Sequence, residues 1–534
     1  MTQGASQDYR AAIVDPSAIG IEAARFPRGC VASPHHLASA AGAAVLSRGG
    51  NAIDAALAAN LALGVVMPFA CGYGGDLFAI VWDGALHAYD GSGRTPAAAS
   101  IDVVRERTGR DLMPAFGPHA VSVPGAVDGW FALHERWGSR PLGELAADAV
   151  ELARDGFGLS TTARGFLSRA RRLYADSPSW QDVYGSAAES GFLRQPDLAR
   201  TITTLVDDGP DAYYRGPIAD DIAAHLASRG GLIRPEDLAA HRGAWVQTLR
   251  AGYRDTEVVQ MPPPTQGVTA LEALRVVEAT GALPEDPTDR HHLLIEAAKL
   301  ALSDRGQHVG DPDQMTTDPT ELLADDHVRA HARSIDPGRA RFPAAARPAL
   351  GGTIYLCAAD RDGLLVSLIQ SNFMGFGSGE TVPGRGINLQ NRAGYMRFEP
   401  GWPDSFGPGC KPLHTLIPAM VLRDGSPWLV YGTMGGDSQA QIHLQLLTRM
   451  IDDREDPQRA LSAPRWSVSA TDWAVTLEGG FPDEVGAGLS DRGHQVRWTA
   501  GASHQAGWAQ AIQVTEHGYL GATDPRPDGA VTGH

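Results

Sequence analysis

Two apolar runs separated by a short polar turn dominate the middle of the chain. Thr353-Ile354-Tyr355-Leu356-Cys357-Ala358-Ala359 leads into Asp360-Arg361-Asp362-Gly363, and Leu364-Leu365-Val366-Ser367-Leu368-Ile369-Gln370-Ser371-Asn372 follows. β-Favouring residues on both sides of a turn that ends in Gly predict a hairpin. A three-residue loop, Arg361-Asp362-Gly363, places Gly363 in the left-handed bulge position. Asp360 then faces Leu364, and counting outward sets Thr353 opposite Ser371. Gly351 and Gly352 precede Thr353. They leave the backbone free to take a strained conformation, as a self-cleaving peptide bond requires. Gly-Gly before a strand more often marks only a loop, so the rest of the chain must decide.

Elsewhere the pattern alternates between helical and extended periods. Ala-rich helices are predicted at 37–46 and 52–65, broken at Gly49-Gly50, with Asn51 as N-cap and Asp54 favouring the first turn. Met67 to Asp76 is a Gly-rich turn before a strand at 77–82. Its glycines precede a strand and not a helix, so they form no phosphate or dinucleotide loop and suit a tight approach to another backbone. Residues 124–340 read as mostly helical, with helices at 125–137, 142–155, 217–228, 267–280 and 291–303. Residues 339–350, rich in Pro, Ala and Arg, read as a flexible connector before Gly351. Strands at 416–422 and 428–433 and a helix at 439–452 follow. This is layered α and β structure, not βαβ alternation throughout.

Composition narrows the function. The 534 residues carry 43% hydrophobic and 20% charged side chains, as a globular protein does, with a net charge of -17. That balance argues against nucleic acid or an anionic membrane as partner. The first residues, with Asp8, Arg10, Asp15 and Glu22, do not read as a secretory signal, and no run reaches transmembrane length. Four scattered cysteines without Cys-x-x-Cys suit a reducing cytoplasm. Among the 18 histidines the pairs His35-His36 and His291-His292 are adjacent and diverge, and no His-Glu-x-x-His occurs. Neither a metal site nor a cofactor is expected. Gly91-Ser92-Gly93 lacks the spacing of a serine nucleophile elbow.

Several stretches together resemble the γ-glutamyltransferase family of N-terminal-nucleophile hydrolases. They are Gly49-Gly50-Asn51-Ala52-Ile53-Asp54-Ala55-Ala56, Gly72-Tyr73-Gly74-Gly75, Val123-Pro124-Gly125, Tyr214-Arg215-Gly216-Pro217-Ile218-Ala219, and Glu296-Ala297-Ala298-Lys299 with Asp304-Arg305. Gly377-Ser378-Gly379, Lys411-Pro412, Gly435-Gly436, Ala463-Pro464-Arg465 and Asp524-Pro525-Arg526 continue the match nearly to the end. The resemblance implies an α+β fold, a four-layer αββα sandwich. It implies self-cleavage between Gly352 and Thr353 into a large subunit, 1–352, and a small subunit, 353–534. A homodimer and a heterotetramer both stay open. Thr353 matches the nucleophile; its freed α-amine, with a reference pKa near ~8, serves as base for its own hydroxyl. Ser371 matches a Thr that hydrogen-bonds the nucleophile, and Gly435 and Gly436 match the oxyanion hole.

The departures concern the substrate. The family's α-carboxylate-binding Arg aligns with Ser92, with Arg94 two residues later. Its Asn beyond the second hydroxyl aligns with Phe373, its Gln and Asp with Arg392 and Tyr395, and its Ser-Ser pair with His414-Thr415. Arg392 and Arg94, assisted by His414 and Thr415, suit an anionic acyl group, and no carboxylate is left for an ammonium. This resembles the branch that includes oxamate amidohydrolase. The expected activity is hydrolysis of a small carboxylated amide through a Thr353 acyl-enzyme. The alternative is a γ-glutamyltransferase or glutathione hydrolase. Acylases, carbon–carbon bond-cleaving relatives and an uncleaved, inactive binding protein are further readings.

Overall fold

The hairpin lies at the centre of one of two stacked sheets in the computed structural model, which describes residues 22–344, 351–503 and 506–534. Residues 1–21, most of the segment read above for a secretory signal, lie outside the described residues, as do residues 345–350 of the connector. Strands Gly352–Ala359 and Leu365–Phe373 pair antiparallel from Ala359 opposite Leu365 to Ile354 opposite Gln370. Gly363 holds the turn with φ 84°, as the three-residue loop requires. The register slips by one residue between Gly352 and Ile354, so the Thr353–Ser371 level falls on a bulge.

Side chains alternate along the first hairpin strand. Ile354, Leu356 and Ala358 join the core beneath the outer helices, whereas Tyr355, Cys357 and Ala359 join the core between the two sheets. A strand buried on both faces reads as a continuous apolar run, which explains its prominence in the sequence. The hairpin sheet runs Ala530–Gly533, Cys30–Ser33, Gly352–Ala359, Leu365–Phe373, Asp76–Trp82, Leu86–Asp90, Ala244–Val246. The second runs Ala24–Phe26, Gly518–Thr523, Trp508–Thr515, Ser426–Met434, Ala419–Arg423, Thr256–Gln260, Leu249–Tyr253. Each seven-stranded sheet draws strands from both sides of the Gly352–Thr353 bond.

Helices close both outer faces. His36–Ser47 and Ala52–Val66 cover the hairpin sheet, and Asn51 forms a reciprocal capping box with Asp54. Gly267–Thr280, Pro287–His308 and Ser438–Leu447 cover the other sheet. The architecture is an αββα sandwich.

The structure corrects several boundaries. Strands Leu249–Tyr253 and Thr256–Gln260 interrupt the stretch expected to be helical. Each is short, and Leu249–Tyr253, which ends the sheet, carries Arg250 as edge strands do. Helices Thr161–Leu173 and Pro196–Asp208 went unrecognised. The helix expected at 291–303 runs Pro287–His308, started by the Asp286 cap. The one expected at 439–452 is regular only to Leu447 and ends in a wider π turn, Thr448–Asp452. The connector is anchored in its first half: Lys299 Nζ donates to the Arg341 carbonyl at 3.0 Å, and Trp473 Nε1 to that of Pro343 at 2.9 Å.

Candidate active site

Thr353 is buried where the hairpin opens. Its Oγ1 lies 2.7 Å from the carbonyl oxygen of Gly352 and 3.1 Å from Ser371 Oγ. Ser371 donates its one hydroxyl proton to the same Gly352 carbonyl, at 2.7 Å. Ser371 Oγ in turn accepts from the backbone N–H of Phe373 at 2.8 Å and from Arg392 Nη2 at 3.3 Å. The bulge brings the two hydroxyls and this carbonyl together. Gly75 permits the close packing behind them: a Cβ there would sit 2.4 Å from the Ser371 carbonyl oxygen.

Arg392 is fully buried in the short turn Arg392–Tyr395. Its guanidinium carbon lies 4.2 Å from the centroid of the Phe373 ring, and its Nη1 reaches Thr415 Oγ1 at a long 3.5 Å. Phe373 holds φ at 73°, a conformation a bulky side chain rarely takes. That strained residue presents its N–H to Ser371 and its ring to Arg392. Burial lowers the Arg392 pKa to about 9, against the opposing charge of Asp76.

Asp76 corrects the expectation that no carboxylate stands near the site. It pairs with Ser371 across the sheet and is wholly buried. Its Oδ1 accepts from the N–H groups of Gly93 and Gly125, each at 3.2 Å. Burial raises its pKa to about 7, although Arg392 and these N–H groups favour the anion. Its Oδ2 lies 3.7 Å from His414 Nε2. Neither ring nitrogen of His414 has a hydrogen-bond partner among the described residues, and burial, with Arg392 and Lys411 nearby, holds it neutral, its pKa well below the usual range.

The Gly435-Gly436 turn follows strand Ser426–Met434, with φ of 142° and 58°. The Gly435 carbonyl accepts from Ser438 N, and that of Gly436 from Gln439 N and Gln266 Nε2. Since a trans peptide points its N–H opposite the preceding C=O, the bond to the Gly435 carbonyl fixes the Gly436 N–H, and the bond from Thr433 Oγ1 to the Met434 carbonyl at 2.7 Å fixes that of Gly435. Gln266 Nε2 also donates to the Thr415 carbonyl at 3.1 Å, and Gln266 Oε1 accepts from Arg305 Nη1 at 2.7 Å. Arg305 pairs with Asp437. A chain of contacts thus runs from Thr353 through Ser371, Arg392, Thr415 and Gln266 to Gly436.

The structure does not bring Arg94 into this chain. Its guanidinium is half-exposed, donates to the Gly409 carbonyl at 2.8 Å and pairs with Asp313 at 3.0 Å. It lines a cavity of about 580 Å³ with Ser92, His241 and Lys411. Three members of the site escaped sequence reading. Asp76 ends a Gly-rich turn, Gln266 follows Pro262-Pro263-Pro264-Thr265, and Arg305 lies inside a helix. A polar residue directly after a Gly- or Pro-rich turn was the available signal for the first two.

The αββα sandwich is one this chain shares with known proteins. Residues 38–534 match the family model described as Gamma-glutamyltranspeptidase. The glutathione hydrolase-like YwrD proenzyme of Bacillus subtilis is 35% identical, over 94% of this chain and 98% of its own. The oxamate amidohydrolase proenzyme of Klebsiella pneumoniae is also 35% identical, over 95% and 98%. A cephalosporin acylase from Bacillus halodurans superimposes with a TM-score of 0.90 at 34% identity, covering 98% of this chain and 99% of that one. The chain belongs to the γ-glutamyltranspeptidase family and is a hydrolytic enzyme of the N-terminal-nucleophile class.

Proposed function

We propose that the chain cuts itself between Gly352 and Thr353 and then hydrolyses a small carboxylated amide of the oxamate kind. In the first step Thr353 Oγ1 adds to the Gly352 carbonyl carbon while Ser371 donates to its oxygen. The C–N bond breaks, the proton passes to the Thr353 nitrogen, and water cleaves the resulting ester. The free α-amine then takes the hydroxyl proton during attack on the substrate amide. The Gly435-Gly436 turn supplies N–H groups to the oxyanion; a donor of this kind contributes roughly 3 kcal/mol. Ammonia leaves, and water releases the acid.

The observation that carries the substrate class is Arg392, a buried guanidinium one contact from the nucleophile pair. With His414 neutral and Asp76 holding its proton up to about pH 7, the surroundings favour an anion. Paired guanidinium N–H bonds suit a carboxylate. The name of the Klebsiella relative agrees with this class. The free thiols of Cys30, Cys71, Cys357 and Cys410 support a cytoplasmic setting.

Asp76 favours a second reading. Ionised, it would receive an α-ammonium, as a γ-glutamyl substrate needs. The deciding experiment gives the processed enzyme oxamate, other small carboxylated amides, glutathione and γ-glutamyl anilides, and measures ammonia, glutamate and aniline release. Preferential turnover of oxamate or its analogues supports the first reading. Preferential turnover of the γ-glutamyl compounds establishes the second.

A further inference from the structure

On the outer helical layer, away from the hairpin, four side chains from three helices converge. Glu272 comes from Gly267–Thr280, Asp304 from Pro287–His308, and His327 and His331 from Asp325–Ser334. His327 and His331 are one turn apart, so both imidazoles leave the same helix face. His327 Nε2 lies 2.9 Å from Asp304 Oδ2 and 3.2 Å from Glu272 Oε1. His331 Nε2 lies 2.8 Å and 3.4 Å from the same two atoms. One ligand atom from each of the four residues lies within 4.8 Å of all the others.

We propose that Glu272, Asp304, His327 and His331 form a structural zinc site. Tetrahedral zinc with bonds of about 2.0–2.1 Å needs ligand atoms about 3.3 Å apart. The four imidazole–carboxylate separations lie within about half an ångström of that, and the other two pairs lie within 4.8 Å. Two imidazoles with two carboxylates match zinc, whereas calcium and magnesium prefer oxygen ligands in larger number. Glu272 supplies support. It is wholly buried, and its Oε1 faces both imidazoles with the Asp304 carboxylate beside it. Two carboxylates held together in a buried place repel, and a divalent cation offsets that repulsion.

The site also bears on the catalytic geometry. Asp304 precedes Arg305, and Glu272 lies on the helix that begins just after Gln266. Zinc would therefore clamp the two helices that position the Arg305–Gln266 bridge to Gly436. The protein chain fills all four positions, so the ion takes no part in the reaction.

The test uses the full-length processed protein, stripped with chelator and reloaded with zinc or cobalt. Elemental analysis after desalting should find one zinc per chain, and cobalt should give the intense visible bands of a tetrahedral site. Zinc should raise the Tm by about 2–4 °C. His327→Gln and Asp304→Asn should each abolish the cobalt spectrum and the Tm shift. Wild-type protein that retains less than about one-tenth of an equivalent, or lacks the cobalt bands, overturns the site whether or not the variants fold. Equal metal retention by folded His327→Gln overturns it as well.

Discussion

Ser371 Oγ and Thr353 Oγ1 both lie 2.7 Å from one acceptor, the carbonyl oxygen of Gly352. The proposed nucleophile and its neighbouring hydroxyl therefore converge on the bond expected to break. N-terminal sequencing of the smaller fragment should begin Thr-Ile-Tyr-Leu. Thr353→Ala should remain a single inactive chain on a denaturing gel, because it lacks the attacking oxygen. Active wild-type protein that persists uncut would overturn the mechanism.

Ser371→Ala removes the donor to the Gly352 carbonyl. Processing and turnover should each slow by roughly 10²-fold, with substrate binding retained. Time courses of fragment appearance and of amide hydrolysis check this. Ser371→Thr, which keeps the hydroxyl, should recover most of both rates.

Asp76 gives the site a pH dependence. Above about pH 7 its carboxylate ionises and competes for Arg392, so the KM for an anionic amide should rise several-fold. Asp76→Asn should remove that inflection. Stability should follow the same group. The folded pKa is raised above the unfolded value of about 4, so folding retains a proton that unfolding releases between about pH 4 and 7. The contribution of Asp76 is then most favourable below that window, declines as pH rises through it and is flat above. Tm measured against pH should show a shallower fall in Asp76→Asn; an unchanged slope would remove Asp76 as its source.

Gln266→Glu keeps the acceptor for Arg305 but loses the donors to Thr415 and Gly436. Loosening the glycine turn should lower kcat by about 10- to 100-fold and change KM less, since a small misplacement of such donors is costly. Steady-state kinetics separates the two. An effect on KM alone would place Gln266 in substrate binding instead.

Arg94 serves as a contrast. An exposed ion pair contributes about 0–1 kcal/mol. Arg94→Ala should leave KM and kcat within about two-fold of wild type, whereas Arg392→Ala should raise KM by at least ten-fold. Because Arg392 also touches Ser371, that variant should process more slowly as well. A strong KM effect from Arg94→Ala would return that residue to the substrate site.

Local features of this protein were legible in the sequence. The hairpin, its left-handed Gly363 and the Asn51–Asp54 cap depend on residues within a few positions of one another, where backbone sterics and short hydrogen bonds dominate. Counting along the strands was enough to bring Thr353 level with Ser371, because pairing register propagates from the turn. Tertiary packing decided the rest. The raised pKa of Asp76 and the lowered pKa of Arg392 come from burial among partners distant in sequence. The spacing of His327 and His331 can be read as one helix face, but Glu272 and Asp304 join them only through the packing of three helices. Arg392 was the leading carboxylate ligand in the sequence, and Arg94 a further candidate that also read as a solvated surface charge. The fold separated them by exposing one guanidinium to solvent and burying the other against Phe373 and Ser371, since desolvation acts on three-dimensional surroundings that no local stretch encodes.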